Sequence, residues 1–209
     1  MQIKENKPET FQNNKQKNFY FKKYFKNFSA FAIEAIKAVV FSLIIILPIR
    51  YFLIQPFYVK GASMEPTFSN HDYLIVNEIG YRLDDPRRGD VVIFKYPNDQ
   101  RQYFIKRIIG LPSERVEVKD NQVFVYNNEF PNGVEINEEY LNSDDIRKNT
   151  NTTLNENEYF VLGDNRNNSF DSRFFGAVSK DLIIGKVWLR GWPFNEVKIF
   201  NGYEYNLSE

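Results

Sequence analysis

A serine on a turn of small residues is the first candidate for chemistry in this sequence. Ser63 lies in the segment VKGASMEPTF, residues 59–68, where glycine and alanine precede it and a proline follows. A serine hydroxyl is a weak nucleophile unless a neighbouring base accepts its proton. The chain has one histidine, His71, and no cysteine. The chemistry of Ser63 therefore depends on which side chain can be its base.

Three kinds of side chain are candidates for that base. His71 follows closely in the sequence, but the fold brings catalytic partners together, and a lone histidine in a polar turn is usually a surface residue. A carboxylate from residues 163–173, GDNRNNSFDSR, is a weak base because it is fully ionised at neutral pH. Lys106, in the segment YFIKRIIGLP, is the third candidate.

Lys106 can serve as a base only if burial lowers the pKa of its amine. A solvated lysine has a pKa of about 10.4, whereas burial lowers the pKa by up to ~3–5 units. On a strand, Phe104, Lys106 and Ile108 share one face, so the cation lies between apolar neighbours. The alternative, and without further information the more common role, is a lysine that protects an edge strand from aggregation.

A third segment, VLGDNRNNSFDSRFFG at residues 161–176, concentrates charged and hydroxyl side chains after a predicted strand. It does not fit a calcium-binding loop, because Arg166 stands where an Asp or Asn ligand is required. A plain polar turn is one interpretation. The other is a shell that orients a catalytic lysine, in which Ser169 hydrogen-bonds the amine while Asp171 and Arg173 hold the backbone.

The elements that must position these residues are predicted to be strands. After residue 60 the chain consists of short alternating segments bounded by Pro, Gly, Asn and Asp, without sustained helical periodicity. The predicted class is therefore all-β with one N-terminal helix. The Asn- and Thr-rich segment 142–157 is predicted to be a flexible loop within a small cap at 114–157. The predicted strands are 72–79, 89–96, 101–109, 115–126, 158–164 and 183–192.

An apolar segment near the N-terminus predicts a transmembrane helix at residues 33–55. From residue 38 to residue 59 the chain carries a single charge, Arg50, and a helix needs about 20 mostly apolar residues to cross a bilayer. The tail before it is rich in lysine, which predicts that residues 1–32 are cytoplasmic. Residues 56–209 would then form an extracytoplasmic domain at the cell membrane.

Two alternatives to a membrane anchor explain less of the sequence. A buried globular helix would account for the uncharged residues 38–49, but not for the lysines before them and the aromatic residues after them. A cleavable signal peptide would have an unusually long charged region and no A-x-A-like site. Because the positive charge is confined to the tail, the sequence also argues against a nucleic-acid partner.

The order of these segments resembles that of the bacterial type I signal peptidases over about residues 35–195. After the anchor come GASMEPT, RRGDVVIFKYP, YFIKRIIGLPSE and GDNRNNSFDSRFFG. Members of this family are membrane serine proteases that remove signal peptides from exported proteins. The resemblance implies a catalytic domain with a coiled antiparallel β-sheet and a small β cap, and neither metal nor cofactor. One departure is LPSE, where the family usually has LPGD.

The resemblance also implies roles for individual residues. Ser63 corresponds to the nucleophile and Lys106 to the general base of a Ser/Lys dyad, while Ser169 corresponds to the serine that orients the lysine. The backbone N–H of Ser63 holds the oxyanion, and Gly61 occupies a position where some members add a serine hydroxyl. The supporting charged positions fall on Asp164, Arg107, Asp171 and Arg173.

The substrates implied by the resemblance are preproteins with small residues at the first and third positions before the cut. Such a segment would bind as an added strand beside residues 57–62, next to the lipid bilayer. Bulky pocket walls would exclude larger side chains. By the same resemblance, the pocket for the first position would be lined by Val59, Met64, Phe68 and Phe104. The pocket for the third position would be lined by Phe57, Val59, Ile93 and Ile105.

Two other functions fit parts of the pattern. A catalytically inactive relative would only bind extended peptides, but both dyad positions are filled here. A self-cleaving repressor-type Ser/Lys protease would need a soluble DNA-binding segment in place of the anchor. The sequence therefore predicts a membrane-bound serine endopeptidase that removes signal peptides.

Overall fold

The computed structural model describes residues 31–47, 54–141, 148–205 and 207, which fall into two compact units, Met1–Ile49 and Arg50–Glu209. The first unit contains helix α1 at residues 31–47, whose apolar side chains are largely exposed. Within the described residues no helix is both long and apolar enough to span a membrane. Most of the predicted tail, and residues 48–53 of the predicted anchor, lie outside the described residues.

The second unit consists mainly of short strands, as the alternating sequence predicted. It also contains two single-turn helices, α2 (Gly80–Leu83) and α3 (Ser172–Phe175). The described strands are β1 (Ile54–Tyr58), β2 (Tyr73–Asn77), β3 (Val91–Tyr96), β4 (Asp99–Gly110), β5 (Arg115–Lys119), β6 (Gln122–Tyr126), β7 (Val134–Glu135), β8 (Thr150–Thr153), β9 (Glu158–Leu162), β10 (Val178–Ser179), β11 (Ile183–Trp192) and β12 (Lys198–Ile199).

The main sheet has eight strands in the order β1-β2-β11-β3-β4-β9-β10, with β12 paired to β11. Every neighbouring pair in it is antiparallel, which confirms the predicted class. Strand β1 lies at one edge, paired only to β2 within the sheet. Strand β9 pairs with β4 only from Arg107 onward, so the first half of β4 has a strand partner on one side.

A second sheet of four strands, in the order β7-β6-β5-β8, is formed by the chain between β4 and β9. The prediction of a flexible loop at 142–157 is wrong for its second half, because residues 150–153 form β8. This threonine-rich segment pairs antiparallel with β5, with Val116 opposite Thr152. Threonine is β-branched and favours strands, so pairing to an available edge offsets the low apolar content. Residues 142–147 lie outside the described residues.

Three apolar clusters hold the second unit together. One lies where the second sheet meets the ends of β4 and β9, and includes Val116, Ile109 and Phe160. Another lies beneath the segment 59–68 and supports it from the side of the main sheet. The third includes Ile108, on the face of β4 opposite Ile109. As a result, residues 106–110 of β4 are buried on both faces of the strand, whereas residues 100–103 are exposed. The buried residues in the second half of β4 include two adjacent cations, Lys106 and Arg107.

Gly110 marks a close approach between the two sheets and generates a stability prediction. A Cβ at this position would overlap Val116 Cγ2 and lie 2.9 Å from both Leu154 Cδ1 and Phe160 Cβ. We therefore expect Gly110→Ala to lower the free energy of unfolding by about 1–3 kcal/mol, measured by urea denaturation, because overpacking strains a filled core.

Gly191→Ala is the matched control for this substitution. Gly191 also lies in a strand, but a Cβ there would meet only Tyr73 O, at 3.9 Å. Its free energy of unfolding should change by no more than about 0.5 kcal/mol. Equal effects of the two substitutions would contradict the packing of the sheets described here.

Candidate active site

The turn that carries Ser63 is built from local hydrogen bonds and an apolar anchor. Gly61 adopts a φ of +97°, a conformation that glycine reaches without steric cost, and its N–H donates to Asn70 Oδ1 at 3.0 Å. On the inner side, Met64 and Phe68 are buried in the core. The half-buried Ser63 is therefore fixed at the surface of the main sheet by residues on both sides of it.

Lys106 is the base candidate that the fold brings to Ser63. Its amine Nζ lies 2.7 Å from Ser63 Oγ and also donates to the carbonyl of Ile105 at 2.8 Å. The residue as a whole is only 4% exposed. His71 is exposed instead, and its Nδ1 contacts the hydroxyl of Tyr58. The geometry thus favours the lysine over the histidine as the partner of Ser63.

The environment of Lys106 favours the neutral amine that a base requires. Burial lowers the pKa of Lys106 to about 8, although the negative charges of Asp171 and Asp164 act in the opposite direction. Desolvation has this effect because the charged form loses its hydration on transfer into the protein. At pH 8 about half of the molecules therefore carry a neutral amine beside the hydroxyl of Ser63.

Arg107, on the opposite face of β4, makes a two-point ion pair with Asp164. Arg107 Nε and Nη2 donate to the two carboxylate oxygens at 2.9 and 2.6 Å. Thr67 Oγ1 donates to the same carboxylate at 2.6 Å. Because Thr67 belongs to the turn segment of Ser63, this buried cluster joins that segment, β4 and the loop after β9. Each charge is paired, which burial requires.

Asp171 and Arg173 form a second buried ion pair, which closes the loop after β9. Arg173 Nε donates to Asp171 Oδ1 at 2.8 Å, and Gly163 N–H donates to Asp171 Oδ2 at 3.1 Å. Asp171 also caps helix α3 by accepting a hydrogen bond from the N–H of Arg173. The guanidinium reaches back to the carbonyl of Arg166 at 2.8 Å. The two ends of the loop are thereby held together.

Ser169 lies close to the nucleophile turn, but the predicted hydrogen bond to the amine is not formed. Its hydroxyl is buried and has no hydrogen-bond partner among the described residues. A Cβ at Gly163 would overlap both Ser169 Oγ and the carbonyl oxygen of Ser63. Ser169, Gly163 and Ser63 therefore pack directly together, and the amine of Lys106 is held instead by Ser63 and Ile105.

A cleft of about 710 Å³ opens beside Ser63 and Lys106, between β1 and the first half of β4. Five predicted pocket residues line it, namely Phe57, Val59, Ile93, Phe104 and Ile105. Met64 and Phe68 are not among its lining residues; both are buried in the core, because they lie four residues apart on the inner side of the turn. The other lining residues are Tyr58, Lys60, Ser63, Gln102, Tyr103, Lys106 and Phe170.

Sequence reasoning missed residues that hold the site from other parts of the chain. Asn165 contacts the turn of Ser63, with its side chain donating to the carbonyl of Ala62 at 3.1 Å. Glu138, from the chain after β7, pairs with the buried Arg166. No local pattern marks Glu138, because its partner is 28 residues away. Over the described part of the chain, no cluster of histidine and carboxylate side chains could hold a metal ion.

Comparisons with known proteins point to one family. A family model described as signal peptidase, peptidase S26, matches residues 32–192. The chain is 37% identical to the probable signal peptidase I-2 of Synechocystis sp., over 79% of this chain and 75% of that protein. It is 35% identical to signal peptidase IB of Staphylococcus aureus strain MRSA252, over 83% of this chain and 94% of that protein. The chain also matches the crystal structure of a signal peptidase I from Enterococcus faecalis V583, with 34% sequence identity and a TM-score of 0.43. This match covers 50% of this chain and 97% of the chain in that structure.

The burial of Lys106 has a measurable cost in stability. Because its pKa is about 8 in the fold and about 10.5 when solvated, the charged amine disfavours folding below pH 8, and this penalty disappears as the pH rises to 10.5. We expect Lys106→Met to be more stable than the parent at pH 7, by on the order of 3 kcal/mol, with a difference that vanishes near pH 10.5.

Urea denaturation at several pH values measures this difference. Lys119→Met is the matched control for the loss of a lysine, because Lys119 is exposed on β5. A stability difference for Lys106→Met that stayed constant from pH 7 to pH 10.5 would contradict a lowered pKa.

Proposed function

This chain belongs to the signal peptidase family, peptidase S26, and from this premise we propose that it removes signal peptides through a Ser63–Lys106 dyad. The observation that carries the dyad is the 2.7 Å separation between Ser63 Oγ and a buried amine with a pKa of about 8. A hydroxyl beside a base of this kind is an activated nucleophile. The proposed activity is that of a serine endopeptidase.

Acylation of Ser63 would begin with the neutral amine of Lys106. As Ser63 Oγ attacks the scissile carbonyl carbon, its proton passes to Lys106 Nζ and the carbonyl oxygen becomes an oxyanion. Collapse of this intermediate breaks the C–N bond, and the ammonium returns the proton to the leaving amine. The products of this half-reaction are the mature protein with a free N-terminus and a signal peptide esterified to Ser63.

Deacylation would use the same amine a second time. Lys106 accepts a proton from a water molecule, whose oxygen attacks the ester carbonyl, and then returns the proton to Ser63 Oγ as the ester bond breaks. The signal peptide leaves with a free carboxyl group, which then loses its proton to solvent, and the dyad regains its starting protonation. Within the site no other proton acceptor is needed, because the lysine is neutral again at the end of each half-reaction.

The oxyanion would be stabilised by the backbone N–H of Ser63. Gly61 supplies no side-chain donor, and its own N–H is already bonded to Asn70. A Cβ at Gly61 would have no described atom within 4 Å, so the space beside it is open to substrate or water. Only one protein donor to the oxyanion is assigned here, so the rate depends strongly on how that N–H is oriented. Removing an oxyanion donor costs ~10²–10³ in rate.

The cleft suits an extended substrate with small side chains. Strand β1 is an edge strand, so a peptide can add to it through main-chain hydrogen bonds beside residues 57–62. The pocket walls are aromatic and aliphatic, as Phe57, Ile93 and Phe104 illustrate. Such walls leave room for small residues at the first and third positions before the cut. The proposed partners are therefore preproteins with that pattern.

The charged residues around the dyad are proposed to act as supports. The Arg107–Asp164 pair fixes the second half of β4, and the Asp171–Arg173 pair fixes the loop that carries Ser169. Packing of Ser169 against the turn of Ser63 supports a role in orienting the dyad when substrate displaces water. These residues would act through the positions of Ser63 and Lys106.

We propose that α1 belongs to a membrane anchor that ends before β1, with the protease domain on the extracytoplasmic face; the last two residues of the predicted span 33–55, Ile54 and Gln55, are instead paired in β1. The support is the apolar character and exposure of its side chains, since an isolated helix of this composition has no polar face toward water. Anchoring would raise the effective concentration of the enzyme for signal peptides in the same bilayer. The exposed side chains are Phe31, Ile33, Ile36, Val39, Val40, Phe41, Leu43, Ile44, Ile45, Ile46 and Leu47.

The dyad is tested by cleavage of a purified preprotein with a small-x-small site. Ser63→Ala and Lys106→Ala should each lower the rate by at least about 10³-fold, because the two side chains act as a unit. The product N-terminus, read by mass spectrometry, should follow the small residues. An acylating inhibitor should label Ser63 of the parent enzyme.

Two results would oppose this assignment. Retained cleavage by Lys106→Ala would show that another residue is the base. Absence of both cleavage and labelling in the parent protein would favour a catalytically inactive peptide-binding domain. Lys119→Ala, on the exposed face of β5, is the control and should cleave at the parental rate.

The pH dependence follows from the protonation state of Lys106. Only the neutral amine can accept the proton of Ser63, so kcat/KM should rise with pH and level off above a midpoint near pH 8. The measurement is kcat/KM between pH 6 and pH 10, on a peptide without titratable groups near the cut. A midpoint near pH 10, as for a solvated lysine, would contradict the proposed base.

A further inference from the structure

Asn165 holds both carbonyl groups that flank the nucleophile. Its side-chain amide Nδ2 donates to the carbonyl oxygen of Ala62 at 3.1 Å, and its backbone N–H donates to the carbonyl oxygen of Ser63 at 3.0 Å. The two segments are about 100 residues apart in the sequence, so this contact exists only because of the fold. One residue therefore controls the backbone on both sides of the Ser63 side chain.

The bond to Ala62 determines where the N–H of Ser63 points. The Ala62–Ser63 peptide is trans, so its C=O and N–H point in opposite directions. Because Asn165 binds the C=O, the N–H is directed away from Asn165. Within the described residues the N–H of Ser63 has no hydrogen-bond acceptor, so it is available to a ligand.

The surrounding cavities agree with this orientation. Ser63 lines the cleft of about 710 Å³, whereas Asn165 lines a separate polar cavity of about 430 Å³ together with Glu65 and Arg166. The carbonyl of Ala62 is thus turned toward the side of Asn165. A carbonyl turned toward the cleft would instead meet the substrate carbonyl oxygen with a like partial charge, which would repel a developing oxyanion.

We propose that Asn165 is the positioning residue of the oxyanion hole, which it sets by fixing the Ala62–Ser63 peptide plane. The inference rests on the proposed function, since it presumes an oxyanion bound at the N–H of Ser63. Asn165 touches neither the substrate nor the proton in transit. It acts through the backbone, in the transition state more than in the ground state, because the oxyanion exists only after attack.

The two ends of the Asn165 side chain have different tasks, which makes a clean substitution possible. Its Oδ1 accepts a hydrogen bond from the N–H of Asn168 and caps the short 3-10 turn at Arg166–Asn168. A serine can also cap such a turn, but its side chain is too short to reach the carbonyl of Ala62. Asn165→Ser therefore removes the hydrogen bond from the side chain to the carbonyl of Ala62, which we call the clamp. It keeps the cap and adds no charge near Lys106. Asn165→Ala removes both.

The test measures kcat, KM and their pH profiles for these variants on the small-x-small substrate. We expect Asn165→Ser to lower kcat by at least about tenfold, with KM within about twofold and the pH midpoint still near 8. Affinity for a peptide aldehyde, which forms a tetrahedral adduct, should fall in parallel with kcat/KM. Asn165→Ala should lose as much kcat and in addition show a lower melting temperature.

Asn168→Ala is the matched control in the same loop. Its side chain is exposed, and the bonds that involve Asn165 use its backbone N–H, which alanine retains. This variant should keep the parental kcat. A parental kcat in Asn165→Ser would overturn the inference, as would a loss confined to KM or an equal loss in Asn168→Ala.

A crystal structure of Asn165→Ser separates this inference from the proposed function. Rotation of the Ala62–Ser63 peptide in the variant supports the clamp, whereas an unchanged peptide orientation overturns it, whatever the activity. Absence of cleavage by the parent enzyme, with Ser63→Ala as the blank, would instead count against the proposed function.

Discussion

The contact between Lys106 Nζ and Ser63 Oγ places a buried amine beside a hydroxyl without a counter-charge. Burial of this kind disfavours the charged form of the amine. The amine has no counter-charge because the nearest carboxylates are paired with other cations. Asp164 is bound by Arg107, and Asp171 is bound by Arg173. Among the described residues no carboxylate lies within ion-pair distance of Lys106 itself. The arginines, whose charge is permanent, thereby leave the lysine as the one cation of this cluster that can lose its proton.

The same arrangement explains why the site is assembled from distant segments. A lysine on a strand is buried where other parts of the fold pack over its face, and the second half of β4 satisfies this condition because apolar clusters cover both of its faces. The proposed nucleophile, by contrast, must remain accessible, and Ser63 lies on a turn at the surface. The loop after β9 connects the two, because it contacts the turn through Asn165 and β4 through Asp164.

Much of this arrangement could be predicted from the sequence, and the exceptions have physical reasons. Alternation marked the strands, whereas the apolar neighbours of Lys106 fitted both a buried amine and a lysine that protects an edge strand. Burial of both faces of β4 could not be read from alternation, which describes one strand and not what covers it. Met64 was expected in a pocket but lies in the core, because the turn directs it inward. The strand β8 and the clamp by Asn165 depend on tertiary pairing, and a polar composition hides both.

The ion pair between Arg166 and Glu138 has a consequence for any attempt to shorten this protein. Arg166 belongs to the loop after β9, which contacts the turn of Ser63, and its guanidinium is almost fully buried. Its counter-ion comes from the insertion that carries the small second sheet. A shortened chain that lacked this insertion would leave the guanidinium of Arg166 without its anion, and removal of one partner of a buried ion pair costs several kcal/mol. The insertion with the small second sheet, although remote in sequence from Ser63, therefore supplies a counter-ion that the loop after β9 requires.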